Sequence, residues 1–221
     1  SISTSTSAIA ESGGTSTIAV TLSKAVDVDT EVTIAYNSTA SVGVDFSSPL
    51  TVSIPAGETS ATFTITAIDD GVYEGDETSI IKISSVDNSS INISSSNSVT
   101  ITITEDEVVP TVSLQSSGNS IAEESGNSIT FTASIDQVAS VDLSVTISTT
   151  VNSRSRAYTA NLPTSISITV PAGSLSGTAT FTPTDNNSYD GTTNVSFAVS
   201  SVAGSGAVGN TINIHSSAAE E

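Results

Sequence analysis

The sequence predicts an all-β chain built as two tandem antiparallel β-sandwiches. Three observations carry this reading: apolar residues that alternate with period two, an internal repeat one domain long, and a bias toward Ser and Thr without helical periodicity. The alternation runs through Ile18, Val20 and Leu22, then Val32, Ile34 and Tyr36, then Phe63 and Ile65, then Val99, Ile101 and Ile103. Each run gives a half-buried strand one apolar face. Breakers at Gly13-Gly14, Pro55-Ala56-Gly57, Asp70-Gly71 and Asp87-Asn88 separate the runs into short strands at sandwich-like spacing. Roughly a third of the chain is Ser or Thr, residues that favour strand surfaces and turns. With 36% hydrophobic residues, 4% aromatic and no Trp or Met, the cores must be thin layers of Val and Ile.

The repeat sets the domain organisation. Ile54-Pro55-Ala56-Gly57 recurs as Val170-Pro171-Ala172-Gly173, and Asp69-Asp70-Gly71-Val72-Tyr73-Glu74-Gly75 faces Asp185-Asn186-Asn187-Ser188-Tyr189-Asp190-Gly191. Upstream, Ala10-Glu11-Ser12-Gly13 faces Glu123-Glu124-Ser125-Gly126, and Asp45-Phe46 faces Ala157-Tyr158. A period of roughly 112 to 116 residues is one domain long, too long for a solenoid unit or propeller blade. Pro110 cannot donate to a sheet ladder and follows the acidic run Glu105-Asp106-Glu107, so the boundary falls there, with domains at 1–109 and 110–221.

Composition removes several functions. With 23 acidic and 4 basic side chains the formal charge is −19, which repels phosphate and disfavours nucleic acid and anionic membrane surfaces. No Cys means no disulfide, thiolate site or cysteine nucleophile. His215, the one His, leaves little for acid–base catalysis near neutral pH, and nothing in the spacing singles out a nucleophile, so no enzyme is expected. No stretch is apolar enough for a membrane helix. The start, without Met or a signal segment, reads as a mature piece of something longer.

The charge is concentrated. Residues 1–110 hold 15 acids and 2 Lys, against 8 acids and 2 Arg in the remainder. Nine of the 15 fall where strands should end: Glu11, Asp45, Asp69, Asp70, Glu74, Glu77, Glu105, Asp106 and Glu107. Loops distant in sequence gather at the ends of a sandwich, where these carboxylates would repel one another. At 4 Å and an effective dielectric near 20, each close pair costs about 4 kcal/mol, so the set calls for a cation or for protons. Calcium fits best, taking 6 to 8 oxygen ligands in flexible geometry. Zinc would want His or Cys.

These residues resemble the Calx-beta domains of sodium/calcium exchangers, some integrin and matrix proteins, and large bacterial surface proteins. The resemblance rests on Ala10-Glu11-Ser12-Gly13-Gly14, Ala40-Ser41-Val42-Gly43-Val44-Asp45-Phe46, Ile54-Pro55-Ala56-Gly57-Glu58, Ile68-Asp69-Asp70-Gly71-Val72-Tyr73-Glu74-Gly75-Asp76-Glu77, and Ile101-Thr102-Ile103-Thr104-Glu105-Asp106-Glu107. It implies an immunoglobulin-like sandwich of about seven strands with a site for several Ca²⁺ ions at one end. Position by position, Glu11, Asp45, Asp69, Asp70, Glu74, Glu77 and Glu105 to Glu107 match family ligands, and Val72 would offer its carbonyl. Asp76 is read as a solvated face residue. The closing acids Glu-Asp-Glu depart from the family's aspartates, and their longer side chains would loosen or drop an ion.

The second unit is degenerate. Ala157 stands at the position of Asp45, Asn186 at Asp70, Thr193 at Glu77, and Ser216-Ser217 at Glu105-Asp106. Glu124, Asp185 and Asp190 remain as a residual second site. Arg154 and Arg156 lie beside the lost Asp45 position; either one guanidinium replaces calcium and pairs with Asp185 or Asp190, or both are exposed in a long loop.

The expected function is a calcium-binding structural module of an extracellular or cell-surface protein, an adhesin or matrix stalk, in which calcium rigidifies the interdomain junction. The alternative is the subunit of an extracellular filament or sheath, and a regulatory calcium sensor is a weaker third. Expected partners are calcium and other copies or neighbouring repeats, with neither nucleic acid nor membrane insertion.

Overall fold

The computed structural model describes residues 1–122, 126–154, 162–184, 193–204 and 213–214. They are all-β, and among them no helix is long and apolar enough to cross a membrane. The chain divides into two compact units, Ser1–Gly71 with Gly75–Asp106, and Val72–Glu74 with Glu107–Glu221.

In the first unit, one sheet has the order β1 (Ile2–Thr4), β3 (Thr15–Thr21), β7 (Ser60–Ala67) and β5 (Phe46–Ser47). The other has the order β2 (Ala8–Ala10), β9 (Ser98–Thr104), β8 (Glu77–Val86), β4 (Thr30–Ser38) and β6 (Thr51–Ile54). The alternating residues meet between the sheets: Ile18, Val20, Phe63 and Ile65 from the first face Val32, Ile34, Ile81, Ile83, Ile101 and Ile103 from the second, all buried in one cluster. Each such side chain contributes about 1.5–3 kcal/mol of burial. Phe46 closes this core at the edge, fully buried and edge-on to Tyr36 with ring centroids 5.5 Å apart. Burial raises the pKa of the Tyr36 hydroxyl, opposed by its hydrogen bond with Ser48.

The first edge of the sandwich is shared between both sheets. β1 pairs antiparallel with β3, whereas β2 pairs parallel with β9, Ala8 to Ala10 opposite Thr102 to Thr104. The crossover at residues 5–7 is polar, and its local bonds hold it. The Ser16 hydroxyl, 1% exposed, donates to the Thr6 carbonyl at 3.0 Å and pairs with the Thr4 hydroxyl at 2.8 Å.

The second unit repeats the plan. One sheet runs β14 (Ser176–Phe181), β11 (Ile129–Ile135), β10 (Thr111–Ser116) and β16 (Asn213–Ile214), the last pair parallel. The other runs β13 (Ser165–Val170), β12 (Leu143–Arg154) and β15 (Thr193–Ala203). Val112, Leu114, Phe131 and Ala133 pack with Leu143, Val145, Ile147, Ile168 and Val170. Tyr73 belongs to this cluster and is 5% exposed; its N–H donates to the Val138 carbonyl at 2.9 Å, and the Ser140 N–H donates to its carbonyl at 3.2 Å. The repeated Pro-Ala-Gly turns need glycine for a positive φ, 84° at Gly57 and 72° at Gly173.

Candidate metal centre

The strand registers bring the acidic loops of residues 1–107 together. Glu77 begins β8 opposite Ile103 near the end of β9, and the Glu11 N–H, just past β2, donates to the Thr104 carbonyl at 3.0 Å. Glu11, Glu77 and the run Glu105 to Glu107 therefore share one end of the sheet. Across the core, Phe46 pairs with Ala67, and the Ile68 N–H donates to the Asp45 carbonyl at 2.9 Å, which sets Asp45 beside the exit of β7 and the acids that follow it.

Three carboxylate groups result, each with its ligand atoms within 4.8 Å of one another: Glu11, Asp106 and Glu107; Glu11, Asp70 and Glu74; Asp45, Glu74 and Glu77. Glu11 belongs to the first two and Glu74 to the last two, so the groups form a continuous row. Glu11 and Asp45 are 4% and 8% exposed, which strengthens repulsion by removing water from between the charges. The two positive side chains of residues 1–107, Lys24 and Lys82, are both exposed, Lys82 in the middle of β8. An all-oxygen donor set, without His or Cys in this stretch, fits a hard divalent cation of high coordination number.

The remaining predicted residues are placed differently. Asp69 is exposed and lies outside the three groups. Glu105 lies outside them too, and its carboxylate accepts the Gly75 N–H. Val72 is half-buried next to Tyr73. Asp76, read as a solvated face residue, is exposed but accepts the Glu105 N–H at 3.1 Å, so it helps to fix the closing run. Glu124, Asp185, Asp190 and Arg156 lie outside the described residues, as does the side chain of Arg154.

The supporting roles of two residues were not read from the sequence. The Ser41 N–H donates to the Asp45 carboxylate and orients it; nothing in a Ser marks that role. Gly14 closes the turn that carries Glu11, its N–H donating to the Ala10 carbonyl at 2.9 Å. A Cβ there would lie 2.4 Å from the Ala10 oxygen and 2.6 Å from the Ala10 nitrogen. Gly14→Ala must shift backbone, and is expected to cost about 1–3 kcal/mol and to weaken metal binding at Glu11, measured by thermal unfolding and calorimetric titration.

The Calx-beta domain model matches residues 1–107. Residues 1–107 belong to the Calx-beta domain family. All three carboxylate groups fall within this Calx-beta domain, which ends at the closing acid Glu107. Among solved structures, the chain is similar to CBD12 from CALX1.2, with 17% identity over 91% of this chain and 79% of that one and a TM-score of 0.41. The calcium binding domain CBD12 of CALX1.1 gives 13% identity over 93% and 81%, with a TM-score of 0.42. The apo form of the Calx CBD1 domain gives 21% over 48% and 96%, with a TM-score of 0.37. No curated protein matches at significant similarity.

Proposed function

We propose that the Calx-beta domain binds several calcium ions through Glu11, Asp45, Asp69, Asp70, Glu74, Glu77, Glu105, Asp106, Glu107 and the Val72 carbonyl. One observation carries the reading: three carboxylate groups are linked in a row by shared Glu11 and Glu74, the arrangement in which each linking carboxylate can serve two neighbouring ions. Bound calcium supplies the positive charge that offsets the repulsion among these groups. Ser41 and Gly14 hold Asp45 and Glu11 in place, and Asp76 and Gly75 hold Glu105.

The module belongs to an extracellular or cell-surface protein, an adhesin or matrix stalk. Glu105 to Glu107 lead the chain out of the Calx-beta domain, so ions held there restrain the connecting segment. Residues 110–221 are a degenerate unit of the same kind, in which Ala157, Asn186 and Thr193 replace three acids. The family membership of residues 1–107 supports calcium over other divalent cations.

Calorimetric titration of the chain tests the reading. Calcium is expected to bind at more than one site and magnesium far more weakly, because Mg²⁺ demands near-octahedral geometry and gives up water reluctantly. Asp70→Ala with Glu74→Ala should remove at least one site. No heat at about 10 mM calcium, above the range of weak extracellular modules, overturns the proposal. Protease cleavage near residues 105–110 that calcium does not slow overturns the stiffening.

A further inference from the structure

Given calcium at the carboxylate row, on which this inference rests, we propose that Asp76 is a positioning residue for the ions. With Gly75 and Glu105 it forms a side-chain rung that fixes two ligand-bearing stretches to each other before any ion arrives. Asp76 itself belongs to none of the three carboxylate groups, so it governs affinity through its neighbours.

The backbone ladder between β8 and β9 stops short of the acids. Its last pair is Glu77 with Ile103, and the same antiparallel register carried two residues further would set Gly75 opposite Glu105. Gly75 turns out of the strand with a φ of 75°, far from the β region. Side chains take over the rung. The Gly75 N–H donates to the Glu105 carboxylate, and the Glu105 N–H donates to the Asp76 carboxylate at 3.1 Å. Each stretch gives one donor and one acceptor, and both bonds have a carboxylate acceptor, the stronger class of hydrogen bond.

The rung stands directly beside the metal row. Glu74, one residue before Gly75, joins two of the three groups, and Asp106, one residue after Glu105, belongs to the third. The Thr104 carbonyl, one residue before Glu105, accepts the Glu11 N–H at 3.0 Å. The stretch that carries Asp106 is therefore bonded to the Glu11 turn on one side and to Gly75-Asp76 on the other. Every one of these bonds joins protein groups, so acids that repel one another are held close to their ligand positions without an ion, and binding has less ordering to do. A carboxylate offers about four lone-pair sites, so accepting the Gly75 N–H does not bar Glu105 from an ion as well. Losing an outer partner of this kind weakens a metal site about ten- to hundredfold.

Calorimetric calcium titration of the full chain carrying Asp76→Ala or Asp76→Asn is the test, together with amide hydrogen exchange at Glu105 in chelator. Asn keeps the oxygen that accepts the Glu105 N–H and loses the charge; Ala loses both. A cooperative melting transition in chelator shows each variant folded. Asp76→Ala is expected to bind calcium about ten- to hundredfold more weakly than wild type and to exchange its Glu105 amide faster. Asp76→Asn is expected to recover the affinity to within about threefold of wild type, the effect of one exposed, screened charge, and to restore protection of the amide. An Asn variant as weak as the Ala variant would make the charge of Asp76 the cause and overturns the proposal. So does an Ala variant that binds calcium as tightly as wild type, or whose Glu105 amide exchanges no faster. Wild-type chain that binds no calcium overturns the calcium reading of the row and the positioning role with it, and is told apart because the amide exchange in chelator still reports the rung.

Discussion

Saturating calcium is expected to raise the melting temperature of the Calx-beta domain by about 10 °C or more, and Glu11→Gln is expected to reverse its sign of effect between chelator and calcium. One ion at a hundredfold excess over its dissociation constant stabilises the folded state by about 2.7 kcal/mol, and a domain of this size gains about 4–8 °C per kcal/mol. Glu11 sits in two carboxylate groups and is 4% exposed. Without calcium its charge adds repulsion to both groups, so Gln should raise the melting temperature. With calcium its carboxylate serves two groups, so Gln should lower the melting temperature and blunt the response. Calorimetric melting of both proteins in the two buffers reads this directly. A Gln variant less stable in chelator as well would assign Glu11 a structural role unrelated to metal.

The second large effect is expected at Phe46. Its ring is fully buried, packs edge-on to Tyr36 and joins the core cluster, while the residue before it is Asp45. Phe46→Ala should cost about 3–5 kcal/mol through lost burial and an unfilled cavity. It should also loosen Asp45, because the Gly43 N–H to Phe46 carbonyl bond at 2.7 Å and the pairing of Phe46 with Ala67 frame that loop. Calcium should recover only part of the loss. Leu50→Ala, 63% exposed, is the control and should change stability by less than about 0.5 kcal/mol. Denaturant midpoints with and without calcium measure both.

Much of this was legible in the sequence because the repeat and the period-two pattern report local rules. Ile18, Val20, Ile34, Phe63, Ile65, Ile101 and Ile103 are buried as their alternation requires, and the breakers fall between strands. The acids were legible as a set because they cluster at strand ends, but their grouping depends on register. Only pairing across the sheets separates Glu11 and Glu74, which link groups, from Asp69, which stands outside them. Tyr73 was not legible. It lies within the acidic loop of the first repeat, yet its partners Val138, Ala139 and Ser140 are more than 60 residues away, and no local pattern encodes them. Nor was the division of the first edge, since nothing local to residues 2–10 tells that β1 and β2 have different partners.

That divided edge has a mechanical consequence. β2 and β9 lie near opposite ends of the first unit's sequence and run parallel, side by side. Tension applied at those two ends pulls adjacent strands in opposite directions along their length. The bonds between Ala8–Ala10 and Thr102–Thr104 are then loaded together in shear, where an antiparallel terminal pair would unzip one bond at a time. The second unit places β10 and β16 in the same parallel relation, Thr111 and Val112 opposite Asn213 and Ile214. Each unit thus carries a clamp across its own ends.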